Sequence, residues 1–113
     1  MSHRSVRKKY LPTTTATELK VEVYYSLGGF NLGTYREDPR GYWLSITPVN
    51  RSEQNGVCYE SVCLGSGLKK FLKETKSDRR GGKAEKEAVE LACACEDELV
   101  KAVCQKEHIE LAA

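Results

Sequence analysis

The side chains in this chain best suited to metal ligation or nucleophilic chemistry are its cysteines and histidines: Cys58, Cys63, Cys93, Cys95, Cys104, His3 and His108. A closed zinc site needs four ligands converging in a tetrahedron, usually from Cys-x-x-Cys knuckles. Cys104 and His108 stand one helical turn apart, but the thiols of Cys93 and Cys95 diverge by about 200° on a helix. Cys58 and Cys63 fall on opposite faces of a strand. No metal site and no cofactor is expected. A cysteine nucleophile needs a neighbouring base, and the histidines lie close to the two ends of the sequence. The carboxylates sit mostly along one acidic helix without a paired arrangement, and GGFNLGT lacks the Gly-Lys-Ser/Thr ending of a phosphate loop. No catalytic residue is assigned, and the chain reads as non-enzymatic. Its odd cysteine count argues against a disulfide framework and for reduced thiols in a cytoplasm.

Stacking and phosphate contact are the other chemistries on offer. Tyr24 and Trp43 fall on the less aliphatic faces of two segments that alternate with period two, and Lys20 shares the face of Tyr24. Aromatics exposed on a sheet can stack bases, with a lysine meeting phosphate. The plainer alternative is a cross-strand aromatic pair that only stabilises the hairpin. Charge is strongly segregated beneath a net +2. Residues 1–10 hold Arg4, Arg7, Lys8 and Lys9 with no acid. Residues 69–86 hold eight cations against three acids, and 87–110 hold seven acids against Lys101 and Lys106. Read as a helix and its following loop, the basic stretch puts Lys69, Lys73 and Lys76 on one face, extended by Arg79, Arg80 and Lys83. Such a patch attracts phosphate backbones without sequence preference. Its plainer reading is a solvated helix face.

These residues must be positioned by a small set of elements. The 113 residues suit one domain, with residues 1–16 as a flexible basic arm and 17–113 as the folded unit. Leu19, Val21, Val23 and Tyr25 alternate with polar partners, and Tyr42, Leu44 and Ile46 do the same, which predicts two half-buried strands. Asn55-Gly56 marks a hairpin turn into a third strand, GVCYESVCL, at 56–64. Ser66 is a candidate cap for a helix over 67–77, and a longer helix runs from Lys83 with a stripe of small residues. The predicted fold is α+β: a three- to four-stranded antiparallel sheet with two C-terminal helices packed on one face.

Two phrases, VEVYYSLGGFN at 21–31 and RGYWLSITPVNR at 40–51, followed by GSGLKKFLKETK, resemble small uncharacterised proteins of gut-associated bacteria, often encoded in mobile-element neighbourhoods. The resemblance implies a bacterial cytoplasm and a role in DNA transfer or maintenance; it carries over no functional residue. Leu32-Gly33-Thr34-Tyr35 departs from the aromatic pair expected there. The leading expectation is a non-enzymatic protein that binds single-stranded DNA or RNA through Lys20, Tyr24, Trp43, Lys69, Lys73, Lys76, Arg79, Arg80 and Lys83. The alternative is a protein–protein adaptor or homodimer, with basic and acidic ends pairing head to tail. No run of about 18 apolar residues is present, so no membrane span is expected.

Overall fold

The computed structural model describes residues 3–62 and 65–112. Strand β1 (His3–Pro12) pairs antiparallel with β2 (Glu18–Ser26), and β2 pairs with the first part of β5 (Gly41–Gln54). The opposite edge of β5 carries β7 (Leu68–Glu74), while its distal end folds back through Asn55-Gly56 onto β6 (Val57–Ser61). Two short strands, β3 (Gly29–Asn31) and β4 (Arg36–Asp38), form a separate hairpin between β2 and β5. One helix, α1 (Lys83–Glu107), lies across the five-stranded sheet. The α+β class, the antiparallel sheet and a C-terminal helix therefore agree with the sequence reading, but among the described residues there is one helix and not two.

Alternation decides which face is buried. Leu19, Val21 and Val23 from β2 and Leu44 and Ile46 from β5 pack on Ala92, Val100 and Val103 of α1. A second cluster joins Tyr25 and Tyr42 to Ala88. Small residues on α1 let its backbone come close to the sheet, so large strand side chains fill the space between. The helix ends where His108 adopts a left-handed conformation (φ 54) and the Ile109 N–H closes on the Cys104 carbonyl.

Two expectations are corrected. Residues 3–12 are not an arm: they form an edge strand whose Val6 and Leu11 reach the core. A register shift between Ser5 and Arg7 breaks the alternation that would have announced it. Three of its cations face the helix, where acids receive them: Arg4 meets Glu85 at 3.3 Å, and Arg7 and Lys9 meet Glu96 at 3.8 and 2.6 Å. The segregated charges of the sequence are thus joined within one molecule.

The second correction concerns GSGLKKFLKETK, whose residues Leu68–Glu74 form strand β7 and not a helix. Leu68, Phe71 and Leu72 satisfy helical spacing, but a register shift in the β5–β7 pairing, between Tyr42 and Trp43 of β5, lets a strand use the same residues. Leu68 and Leu72 join the core while Phe71 turns to the other face against Trp43. The strand also satisfies the second edge of β5, whose polar backbone would otherwise be buried without partners. Glycines fix both ends of this pairing. A Cβ at Gly67 (φ +77) would collide with the Ile46 carbonyl, and one at Gly41 (φ +155) with the Lys73 carbonyl. The expected third strand is present over Val57–Ser61; Cys63 and Leu64 lie outside the described residues. Asn55 and Gly56 both have positive φ, as a tight hairpin turn requires.

Candidate nucleic-acid interface

The sheet face away from α1 carries the aromatic residues singled out above, and Tyr24 and Trp43 are direct neighbours across β2 and β5. Neither is presented as a platform. Trp43 is only 8% exposed: Phe71 lies against it at 5.0 Å between ring centroids, and the Lys69 ammonium sits 4.7 Å above the indole. Tyr24 is covered by the His3 ring, stacked at 4.2 Å with an interplanar angle of 8°. Burial, reinforced by Glu22 and Asp38, pushes the Tyr24 hydroxyl pKa up to about 12. Trp43 is buried and Tyr24 is partly covered, so the two rings do not form the exposed aromatic platform expected from the sequence.

The lysines of this face are also engaged. Lys69 pairs with Asp38 at 3.2 Å, and Lys20 pairs with Glu60 at 3.0 Å. Glu60 in addition accepts a hydrogen bond from the Tyr10 hydroxyl, which holds the carboxyl below its usual range and pushes Tyr10 up to about 12. Arg51 grips Glu18 with two hydrogen bonds of 2.8 and 3.0 Å and lies 3.9 Å over the Tyr10 ring. These contacts fold the β5–β6 ribbon over the far side of β1 and β2.

The basic stretch 69–86 does not form one surface: Lys69 and Lys73 would share a face of a regular strand, but the bulge between Phe71 and Lys73 turns Lys73 to the opposite side. Lys69 belongs to the open face, whereas Lys73 turns towards the helix and pairs with Glu87 at 2.6 Å. That contact holds the Glu87 carboxyl below its usual range. Lys76, Arg79 and Arg80 follow in the connector to α1, Lys83 opens the helix, and all four are exposed, as is Lys86. Among the described residues Lys76, Arg79, Arg80 and Lys86 join no ion pair, and Lys83 has only a loose contact to Glu87 at 3.9 Å. Gly82 starts the helix without a side-chain cap. Beside it lies a cavity of about 420 Å³ lined by Lys73, Ser77, Arg79, Gly82, Lys83, Ala84 and Glu87.

Of the nine residues expected to touch nucleic acid, the structure therefore gathers Lys76, Arg79, Arg80 and Lys83 at one end. It separates them from Lys20, Tyr24, Trp43 and Lys69, and ties Lys73 to the helix. The sequence reading missed Lys86 as a member of this end, together with the covers His3 and Phe71. Phe71 had a signal, an apolar residue among lysines, but it was assigned to a helix. Two hairpins also expose apolar side chains: Phe30, Leu32 and Tyr35 on one, Val57 and Tyr59 on the other.

The described thiols are free: Cys58 and Cys93 exposed, Cys95 and Cys104 partly covered. Among the described residues no three His, Cys, Asp or Glu side chains are grouped to hold a metal ion, and no helix is long and apolar enough to cross a membrane. No protein-family model matches the chain, and no curated protein or solved structure matches it.

Proposed function

We propose that the chain is a non-enzymatic binding protein that engages the phosphate backbone of nucleic acid through its basic end, Lys76, Arg79, Arg80, Lys83 and Lys86. One observation carries this reading. Most cations elsewhere, including Arg4, Arg7, Lys9, Lys20, Lys69 and Lys73, have acidic partners in the fold, while this cluster is exposed with only one loose contact. Its local acids are Asp78, Glu85 and Glu87; Glu85 is already held by Arg4 and Glu87 by Lys73. Unpaired, clustered cations release counterions from a phosphate backbone and gain affinity from that release. With Tyr24 and Trp43 covered, base stacking has no part in this binding, and single and double strands are bound by charge alone.

The test compares a labelled 20-mer bound by the wild-type chain and by the Arg79→Glu/Arg80→Glu/Lys83→Glu variant in fluorescence anisotropy at low salt. The variant is expected to lose affinity by about tenfold or more. Lys20→Ala, which removes an already paired cation, is expected to bind like the wild type. Equal binding by the triple variant and the wild type overturns the assignment.

A second reading, a protein–protein adaptor, is favoured by the β3–β4 hairpin. Phe30, Leu32 and Tyr35 are 60, 76 and 79% exposed there, more than isolated surface apolar residues need be. Loss of partner binding by Leu32→Ser/Tyr35→Ser, with nucleic-acid binding absent from the wild type, would favour it.

A further inference from the structure

A sheet with free edges invites strand addition, and proteins guard such edges with lysine, bulges or proline. Two edges here are guarded in that way. The β1 edge carries Arg4, Arg7, Lys8 and Lys9 and a bulge after Ser5. The β7 edge carries Lys69, Lys70 and Lys73 and an irregular register. The third, β6, has the sequence Val-Cys-Tyr-Glu-Ser, with no cation, no proline and no bulge. Among the described strands it pairs with β5 alone, and all five of its residues are exposed. Val57 and Tyr59 are 50 and 51% exposed on one face of the ribbon.

We propose that β6 is an interface at which two copies of this chain pair antiparallel about a two-fold axis through Tyr59. The register follows from the turn. Asn55-Gly56 closes on the pair Gln54 and Val57, and a hairpin with this loop makes that pair hydrogen-bonded. Val57, Tyr59 and Ser61 then bond inward to β5, leaving the N–H and C=O groups of Cys58 and Glu60 pointing outward. Outward residues must meet outward residues across the new ladder. Centring on Tyr59 sets Cys58 opposite Glu60 of the second copy and the reverse, so no like charges oppose one another. A centre at Glu60 would oppose two carboxylates. The one charge on the strand, Glu60, is balanced within its own chain by Lys20. An edge of this kind offers neither an acidic nor a basic foreign strand a counter-charge, but it is complementary to itself, as a two-fold interface must be. The two Tyr59 rings and the flanking Val57 side chains would bury the apolar surface that the monomer leaves open. The contact is short, so a weak and concentration-dependent dimer is expected.

Sedimentation equilibrium of the full chain over a concentration series, in reducing buffer without nucleic acid, tests this. The wild type is expected to pass from monomer to dimer. Tyr59→Lys installs the guard that β1 and β7 possess and should leave a monomer with an unchanged far-ultraviolet spectrum. Cys58→Pro removes one outward N–H while leaving the β5 ladder intact and should do the same; Lys8→Ala, on a guarded edge, should dimerise like the wild type. A wild type that stays monomeric to about 1 mM, or a dimer that persists in both β6 variants, overturns the proposal.

Discussion

Replacing Gly67 by alanine separates the strand found at 68–74 from the helix that its sequence also permits. In a helix capped by Ser66, Gly67 would be the first helical residue, and alanine there would stabilise by up to about 1 kcal/mol. In the structure Gly67 has φ +77, and an added Cβ meets the Ile46 carbonyl oxygen and lies 2.9 Å from the Thr47 Cα. The left-handed backbone alone costs a non-glycine residue about 1 kcal/mol. Relieving the collision requires β7 to move off β5, which adds about 1–2 kcal/mol because both neighbours are backbone. The sum is a loss of about 2–3 kcal/mol, or a fall in Tm of roughly 10 °C for a domain of this size. Gly65→Ala is the internal control. Its φ is +81 but an added Cβ meets nothing within 4 Å, so only the backbone part should appear. Urea unfolding followed by Trp43 fluorescence reads both, since Trp43 packs on Phe71 of the same strand. A Gly67→Ala protein as stable as the wild type, or more stable, would refute the strand assignment and restore the helix.

Two further outcomes follow from the covered face and the edge strand. In an alkaline titration read by tyrosinate absorbance, Tyr10 and Tyr24 should ionise only near pH 12, with Tyr42 also raised by its burial, and Tyr24→Phe should remove one late-ionising proton. The unfolded chain releases these protons at about 10, so their stabilising contribution is complete below that pH and is lost as pH rises towards about 12. Both residues ionising at the ordinary tyrosine pH would show that the His3 and Glu60 contacts do not persist in solution. Glu96→Gln leaves Arg7 and Lys9 without their carboxylate and should raise amide exchange across 3–12 while that in β5 stays unchanged. Unchanged exchange in β1 would mean that its pairing with β2 holds it without help from the helix.

The legible and illegible parts of the fold have a common logic. Strand β2 and the first part of β5, to Val49, could be read because a period of two runs through both; the extension of β5 from Asn50 to Gln54 is polar throughout and reads as part of the turn. The Asn55-Gly56 turn and the start of α1 at Lys83 were equally plain. Strand β1 was hidden because its bulge breaks the period and its core-side positions hold cations that only the distant Glu85 and Glu96 make tolerable. Strand β7 was hidden because seven residues with apolar side chains at 68, 71 and 72 fit either period, and the choice was made by the unpaired edge of β5. That one misassignment propagated into the site. With Phe71 and Lys69 placed on a helix across the sheet, nothing remained to cover Trp43, and a buried indole was read as a stacking platform. Arg79 and Arg80 lie exposed in the connector expected between the two elements, whereas Lys76, expected on a helix face with Lys69 and Lys73, follows the end of β7.

The dependence of nucleic-acid affinity on salt tests the proposed role of the basic end most directly. Anisotropy of labelled single- and double-stranded 20-mers, measured across a salt series, should give log Kobs falling linearly with log salt. The slope should decrease by about 1 for each of Arg79, Arg80 and Lys83 that is replaced by alanine, with Trp43 fluorescence unaltered on binding. No binding at low salt, or binding that quenches Trp43 and ignores those three replacements, would contradict it.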